Sequence, residues 1–291
     1  MSAAPTIVIV GGVAGGMSAA ARARRLDEHA QIIVLEQGDY VSFANCGLPY
    51  HLSGEISRRE ALLLHTPASL ASSLNLDVRT GHRVTEVDRD AREVTVQTPE
   101  GAFRQPYDAL ILAPGAVAVR PPITGLDHPA VHALRTVPDV DALRDSLDGL
   151  LADRPADSPA PQAVVIGAGF IGLEAVEALT ARGLQVHLVE LADHVLPPLD
   201  AELAAHGVGL RLGVSAQSIA PMDPTGAVEE SSETGSTGAV TVTLSDGARL
   251  AADLVIVNVG VRPASALARE AGLELGPVSY THLTLPTILR V

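Results

Sequence analysis

The chain has 291 residues, 47% of them hydrophobic, which suffices for about two domains with cores of their own. Its formal net charge of −14 and pI near 5.0 disfavour nucleic acid or an anionic membrane as partner, because both need a basic surface. All 20 Lys+Arg residues are arginine, so P-loop, Schiff-base and kinase-type lysines are excluded together, and 2% aromatics argue against stacking on bases or sugars.

The start, Met1-Ser2-Ala3-Ala4-Pro5, lacks a basic segment, and the apolar run Ile7 to Val10 breaks at once on glycines, so no signal peptide is expected. No apolar stretch approaches the roughly 18 residues of a membrane span. Cys46 is the single cysteine, which leaves no disulfide framework and fits a reducing cytoplasm.

Ile7-Val8-Ile9-Val10 predicts a buried strand, Gly11-Gly12-Val13-Ala14-Gly15-Gly16 a turn, the stretch to about Leu26 a helix, and Ile32 to Leu35 a second strand closing on Glu36. Ser42-Phe43-Ala44-Asn45-Cys46-Gly47-Leu48-Pro49-Tyr50 then reads as a loop entering a short helix, with His51 facing solvent. Thiols at helix N-termini are held as thiolate more readily than free cysteine. A lone thiol that is catalytic must work through a mixed disulfide, a sulfenic acid or a persulfide formed with another molecule.

Val84 to Val96 alternates like a strand, Ala109 to Leu112 reads as another buried strand, Asp139 to Leu151 as an amphipathic helix, and residues 154–162 as a linker. The opening pattern then repeats: strand Val164 to Ile166, turn Gly167-Ala168-Gly169-Phe170-Ile171-Gly172, helix to about Ala181, strand Val186 to Val189, and Glu190. Between Asp200 and Gly207 only Ala201 to His206 is helical, whereas a parallel crossover needs a dozen or more residues. A deletion of about two to three turns is expected there, with a poorly packed sheet edge. Residues 223–238 form a polar low-complexity loop without chemistry, and Ser245-Asp246-Gly247 turns a hairpin between Ala239–Leu244 and Ala248–Val257.

A helix N-terminus preceded by glycines offers unpaired N–H groups and a positive dipole end to a pyrophosphate, and an acid ending the next strand accepts hydrogen bonds from ribose hydroxyls. Both repeats supply both parts. Gly167, Gly169 and Gly172 complete G-x-G-x-x-G, and Glu190 falls about 20 residues on; its carboxylate would repel a 2′-phosphate, which predicts NADH over NADPH. The first turn has Val13 at the middle position.

The order of the first turn, Glu36, the Cys46 segment, Ala113-Pro114-Gly115, the Gly167 to Gly172 motif and Gly260-Val261-Arg262-Pro263 resembles the pyridine nucleotide-disulfide oxidoreductases with one active-site cysteine. The resemblance runs from about Thr6 to Pro277 and is most similar to coenzyme A disulfide reductases, with NADH oxidase and NADH peroxidase as relatives; a Gly-x-Val-Ala-Gly-Gly turn recurs in that family. It implies an α/β fold of two Rossmann-like dinucleotide-binding domains, residues 1–118 plus 248–277 for FAD and 119–247 for NAD(P)H. Hydride would pass from NADH, with NADPH possible, through flavin to Cys46 held in a mixed disulfide with coenzyme A. Gly11, Gly12, Val13, Ala14, Gly15, Gly16, Glu36, Ala113, Pro114 and Gly115 correspond to FAD positions. Gly167, Gly169, Phe170, Ile171, Gly172, Glu174, Glu190 and Gly260 correspond to cofactor positions of the second part. Arg25, Ser42 and Asn45 correspond to substrate positions, and no metal is implied.

The last stretch, residues 278–291, abandons the composition of the rest and resembles a translated sequencing adapter, an artefact tail. Family members continue instead into a Gly-Asp flavin segment and a dimerisation domain, so a homodimer is expected of the full-length parent and weak FAD binding of this chain. NADH oxidase or peroxidase chemistry through a Cys46 sulfenic acid, and an inactive cofactor-binding fragment, stand as alternatives.

Overall fold

The computed structural model describes residues 4–152, 155, 157–195, 199–222 and 239–276. The chain divides into two units: residues 4–44, 63–117 and 261–276 make the first, and Asn45–Leu62 with the described residues of Ala118–Gly260 make the second.

Along the chain come β1 (Thr6–Val10), α1 (Ala14–Leu26), β2 (Gln31–Leu35), a 3-10 turn (Asn45–Gly47), α2 (Leu48–Ser53), α3 (Pro67–Leu74) and β3 (Asp77–Arg79). The meander β4 (Arg83–Asp88), β5 (Glu93–Thr98) and β6 (Gly101–Pro106) follows, then β7 (Ala109–Leu112) and β8 (Ala116–Ala118). A parallel sheet in the order β3-β2-β1-β7 centres the first unit. Strands β1, β2 and β7 are largely apolar on both faces because both faces are covered, whereas the edge strand β3 carries Asp77 and Arg79. Ile9, Ile32 and Val34 pack with Met17, Ala20 and Leu70 of α1 and α3, while Val8, Ile33 and Leu35 pack with Val87, Val94 and Val96 of the meander. The start of α3 is fixed by a capping box between Thr66 and Ser69 with Pro67 in the first turn, and its end by Asn75 at φ 49°.

The second unit repeats the plan. It contains β9 (Val131–His132), α4 (Val137–Ala152), β10 (Gln162–Ile166), α5 (Phe170–Ala181), β11 (Gln185–Glu190), α6 (Leu199–Ala205), β12 (Gly209–Leu212) and the strands β13 (Ala216–Pro221), β14 (Val240–Leu244), β15 (Arg249–Ala252) and β16 (Leu254–Val257). Its parallel sheet runs β12-β11-β10-β16-β9. Val164, Ile166, Val189 and Val255 pack against Ile219, Val240 and Val242 of the antiparallel β13-β14-β15 layer. Helix α5 lies against β10, β11 and β16, and α4 against β9. The chain then returns to the first unit through β17 (Val261–Pro263), paired with β8, and α7 (Ala266–Glu270), whose Leu267 packs on the first core.

The duplication extends to single hydrogen bonds. Thr6 N donates to the Asp108 carboxylate at 2.7 Å while Asp108 N donates back to Thr6 O; Gln162 and Asp253 repeat this at 2.8 Å in both directions. Each pair locks the start of the first strand to the start of the strand beside it.

Two expectations are corrected. The chain returns to the first unit at residue 261 and not at 248, because β16 pairs with β10 throughout its length. The stretch Ala248–Val257 is two strands broken at Asp253, which the bond to Gln162 diverts. At the β11–β12 crossover, where a deletion is expected, α6 buries none of its residues, while β11 and β12 still pair in parallel. The polar loop at 223–238, the tail at 278–291 and residues 154 and 156 of the expected linker lie outside the described residues. No helix among the described residues is long and apolar enough to cross a membrane.

Candidate functional site

In the first unit the glycine turn leaves β1 with Gly11 at φ 102°, a conformation open to glycine, and Gly11 N bonded to Leu35 O at 2.8 Å. A Cβ on Gly11 would stand 2.1 Å from the carbonyl of Ala113, and one on Gly16 would stand 1.7 Å from the carbonyl of Gly11. These contacts explain why Ala113-Pro114-Gly115 and Gly16 belong with the turn: strand, turn and helix approach at backbone distance. Val13 forms the N-cap of α1 without a capping side chain. Ala14 and Gly15 after it are exposed, so the first N–H groups of the helix look outward with the dipole behind them.

Glu36 is only 8% exposed. One carboxylate oxygen accepts from Gly12 N at 2.7 Å and the other from Gly38 N at 2.7 Å. Ser42 N donates to Gly12 O at 2.9 Å, and Ser42 itself sits at φ 49°, a left-handed conformation uncommon for serine. Arg25 is exposed in the last turn of α1.

The second turn is built alike. Gly167 has φ 103°, and its N bonds to Val189 O at 2.8 Å. A Cβ there would meet Asn258 O at 2.4 Å, and one on Gly172 would meet Gly167 O at 1.9 Å. Gly169 is the N-cap of α5, a Cβ on it would meet nothing within 4 Å, and Phe170 beyond it is 78% exposed. Glu190 accepts from Ala168 N at 2.6 Å and from Ala192 N at 2.9 Å, and Glu174 is half-buried along α5. Gly260 lies two residues past Asn258, as Gly115 lies two past Ala113.

Each turn fits a dinucleotide on grounds of its own geometry. The contact-free side of Gly169 and the exposed N–H groups leave room for a pyrophosphate, and an acid ends the strand that follows each turn. In the second unit the side-chain Nδ2 of Asn258, at the mouth of the turn, is buried without a partner, a donor free for a ligand.

Asn45 and Cys46 fall in the second unit, whereas Ser42 falls in the first. The 3-10 turn Asn45–Gly47 exposes both, and Cys46 is a free thiol. Leu48, His51 and Leu52 of α2 are buried and hold the turn on α4 and α5. His51 departs from its expected exposure: it is 4% exposed, and its Nδ1 lies 2.6 Å from Ile56 O. It is a structural residue of the α2 stripe, with Leu48 and Leu52 at helical spacing. Sequence reasoning did not find Gly38 and Ala192, which hold the two acids, nor Asn258. The acids' N–H partners lie two residues beyond a motif glutamate, a local signal that a closer reading of the strand ends would have offered.

A family model described as pyridine nucleotide-disulphide oxidoreductase matches residues 5–282. A coenzyme A disulfide reductase of Staphylococcus haemolyticus is 37% identical over 200 residues, 68% of this chain and 43% of that protein. An NADH oxidase of Methanocaldococcus jannaschii is 30% identical over 279 residues, 92% of this chain and 57% of that protein. The structure of reduced CoADR-RHD from Bacillus anthracis superposes with a TM-score of 0.81 at 37% identity, covering 94% of this chain and 47% of that one. The chain thus spans about half the length of the relatives it matches.

Proposed function

The chain belongs to the pyridine nucleotide-disulphide oxidoreductases, and from that membership we propose that it forms the nucleotide-binding part of an FAD-dependent NAD(P)H disulfide oxidoreductase acting on coenzyme A disulfide or a similar small disulfide or persulfide. One observation carries the reading: an exposed lone thiol leads a short helix in a chain that builds the same nucleotide cradle twice.

The roles follow from the residues. Gly11 to Gly16 with Glu36 and Ala113-Pro114-Gly115 hold FAD; Gly167 to Gly172 with Glu174, Glu190 and Gly260 hold NADH, the carboxylate of Glu190 disfavouring a 2′-phosphate. Cys46 attacks one sulfur of the external disulfide: a Cys46–sulfur bond forms, the substrate S–S bond breaks, and one thiolate leaves to take a proton. When bound, NADH and FAD supply the two electrons that split the resulting mixed disulfide and free the second thiol. Ser42, Asn45 and Arg25 receive the substrate, Arg25 giving an anionic substrate a cation on an otherwise acidic protein. The whole protein works as a homodimer in the cytoplasm.

The likeness to an NADH oxidase over 92% of the chain favours a second reading, in which Cys46 cycles through a sulfenic acid with oxygen or peroxide as acceptor. NADH oxidation by the FAD-loaded protein, assayed with coenzyme A disulfide, peroxide or oxygen, separates the two. With the disulfide, one NADH consumed should release two thiols, and Cys46→Ser should abolish this; retained disulfide reduction in that variant sinks the proposal.

A further inference from the structure

We propose that Arg144, Arg182 and Asp148 are positioning residues for Cys46, fastening the thiol-bearing segment to the same helix that begins at the second glycine turn. Helix α2 has six residues, too few to hold its own shape in water. The last carbonyls of a helix have no i+4 partner within it; here Leu52 O takes an arginine, and His51 O takes an arginine besides the capping N–H of Gly54 at 3.2 Å. Arg144 of α4 donates to His51 O at 2.5 Å, and Arg182, the C-cap of α5, donates to Leu52 O at 3.1 Å. Both arginines converge on Asp148, Arg144 through Nε at 3.4 Å and Arg182 through a close Nη2 contact. Farther along the segment, Arg59 binds the Asp141 carboxylate with two nitrogens, at 2.7 and 2.6 Å.

The clamp grips the end of α2 remote from Cys46, and apolar burial of Leu48 and Leu52 grips its length. Cys46 is therefore free at its sulfur and fixed in its backbone. Helix α5 is continuous from the glycine turn to Arg182, so a ligand seated at its N-terminus acts on a body that includes the Cys46 turn. The inference rests on the proposed role of Cys46 for its chemistry, but the clamp can be tested without cofactor.

The test compares Arg182→Met, Arg144→Met and Arg182→Lys with the unaltered chain. Hydrogen exchange should show the amides of residues 45–56 exchanging at least tenfold faster in the two Met variants, with those of 162–190 unchanged. Lysine keeps a donor and a charge, so Arg182→Lys should restore most of the protection. In NADH-dependent disulfide reduction, kcat should fall about tenfold while KM for NADH stays within twofold. Exchange of 45–56 that stays within twofold of the unaltered chain, or that rises together with 162–190, overturns the proposal. If the unaltered chain shows no NADH-dependent turnover, exchange alone decides the clamp, and the proposed function is decided separately by the Cys46→Ser comparison in the full-length FAD-loaded protein.

Discussion

The carboxylate of Glu36 accepts the backbone N–H of Gly12 at 2.7 Å across 24 residues, and Glu190 stands in the same relation to Ala168 at 2.6 Å. Each acid therefore ties the end of its strand to the first residue past the strand–turn glycine, before any ligand is present. The acids are therefore structural parts of the turns, besides the ribose-accepting role proposed for them.

This dual role predicts a stability cost. Glu36→Ala leaves the N–H groups of Gly12 and Gly38 facing a mostly buried gap. The cofactor-free first unit should lose about 1.5–3 kcal/mol, the range for hydrogen bonds to a charged group. Urea unfolding measures it; an unchanged midpoint would show that water replaces the carboxylate.

The glycines of the second turn separate packing from ligand approach. A methyl at Gly172 meets the Gly167 carbonyl at 1.9 Å, so Gly172→Ala forces helix from strand and should cost about 1–3 kcal/mol as overpacking. Gly169 has an ordinary φ of −69° and no neighbour within 4 Å of the added carbon. Gly169→Ala should leave the melting temperature unchanged while weakening NADH binding, measured by titration calorimetry, because the methyl enters the open side of the turn proposed to receive the pyrophosphate. A drop in melting temperature equal to that of Gly172→Ala would refute the distinction.

Much of this was legible in the sequence because it is local. Strand β7 has the expected bounds, Ala109 to Leu112, and both turns lie where their glycines put them. What escaped depends on contacts far apart in the chain. Nothing local marks Arg182 as a partner of Leu52, 130 residues away, or predicts that Asn45–Leu62 joins the second unit. His51 reads as exposed from its residue type, although Leu48 and Leu52 stand at helical spacing from it; burial comes from α2 docking on α4 and α5, a tertiary event.

Histidines in the second sheet set a pH dependence. Burial lowers the pKa of His187 on β11, helped by Arg211, and burial lowers that of His132 on β9 against the opposing charge of Asp139. Both groups ordinarily titrate near 6.5. Above that pH both states of the chain are neutral at these sites; below it the unfolded chain takes up protons that the fold resists, so stability falls with pH. The urea midpoint of the second unit should drop between pH 7 and pH 5, and less so in a His132→Gln, His187→Gln double variant. Equal slopes in the two proteins would remove the histidines as the cause.

Asn258 occupies the place in the second unit that Ala113 occupies in the first: Ala113 N donates to Val10 O and Asn258 N to Ile166 O, both at 2.8 Å, and each carbonyl faces the strand–turn glycine. The units differ there by one amide, whose Nδ2 is buried and unpaired. An unpaired buried donor costs stability, so Asn258→Ala should leave the cofactor-free melting temperature unchanged or raised. If the donor is kept for the dinucleotide, the same variant should bind ADP-ribose or NAD⁺ about tenfold more weakly, a loss of about 1.4 kcal/mol. The two effects run in opposite directions, which a residue serving only the packing of β16 cannot produce. A lowered melting temperature with unchanged nucleotide affinity assigns Asn258 to the fold alone.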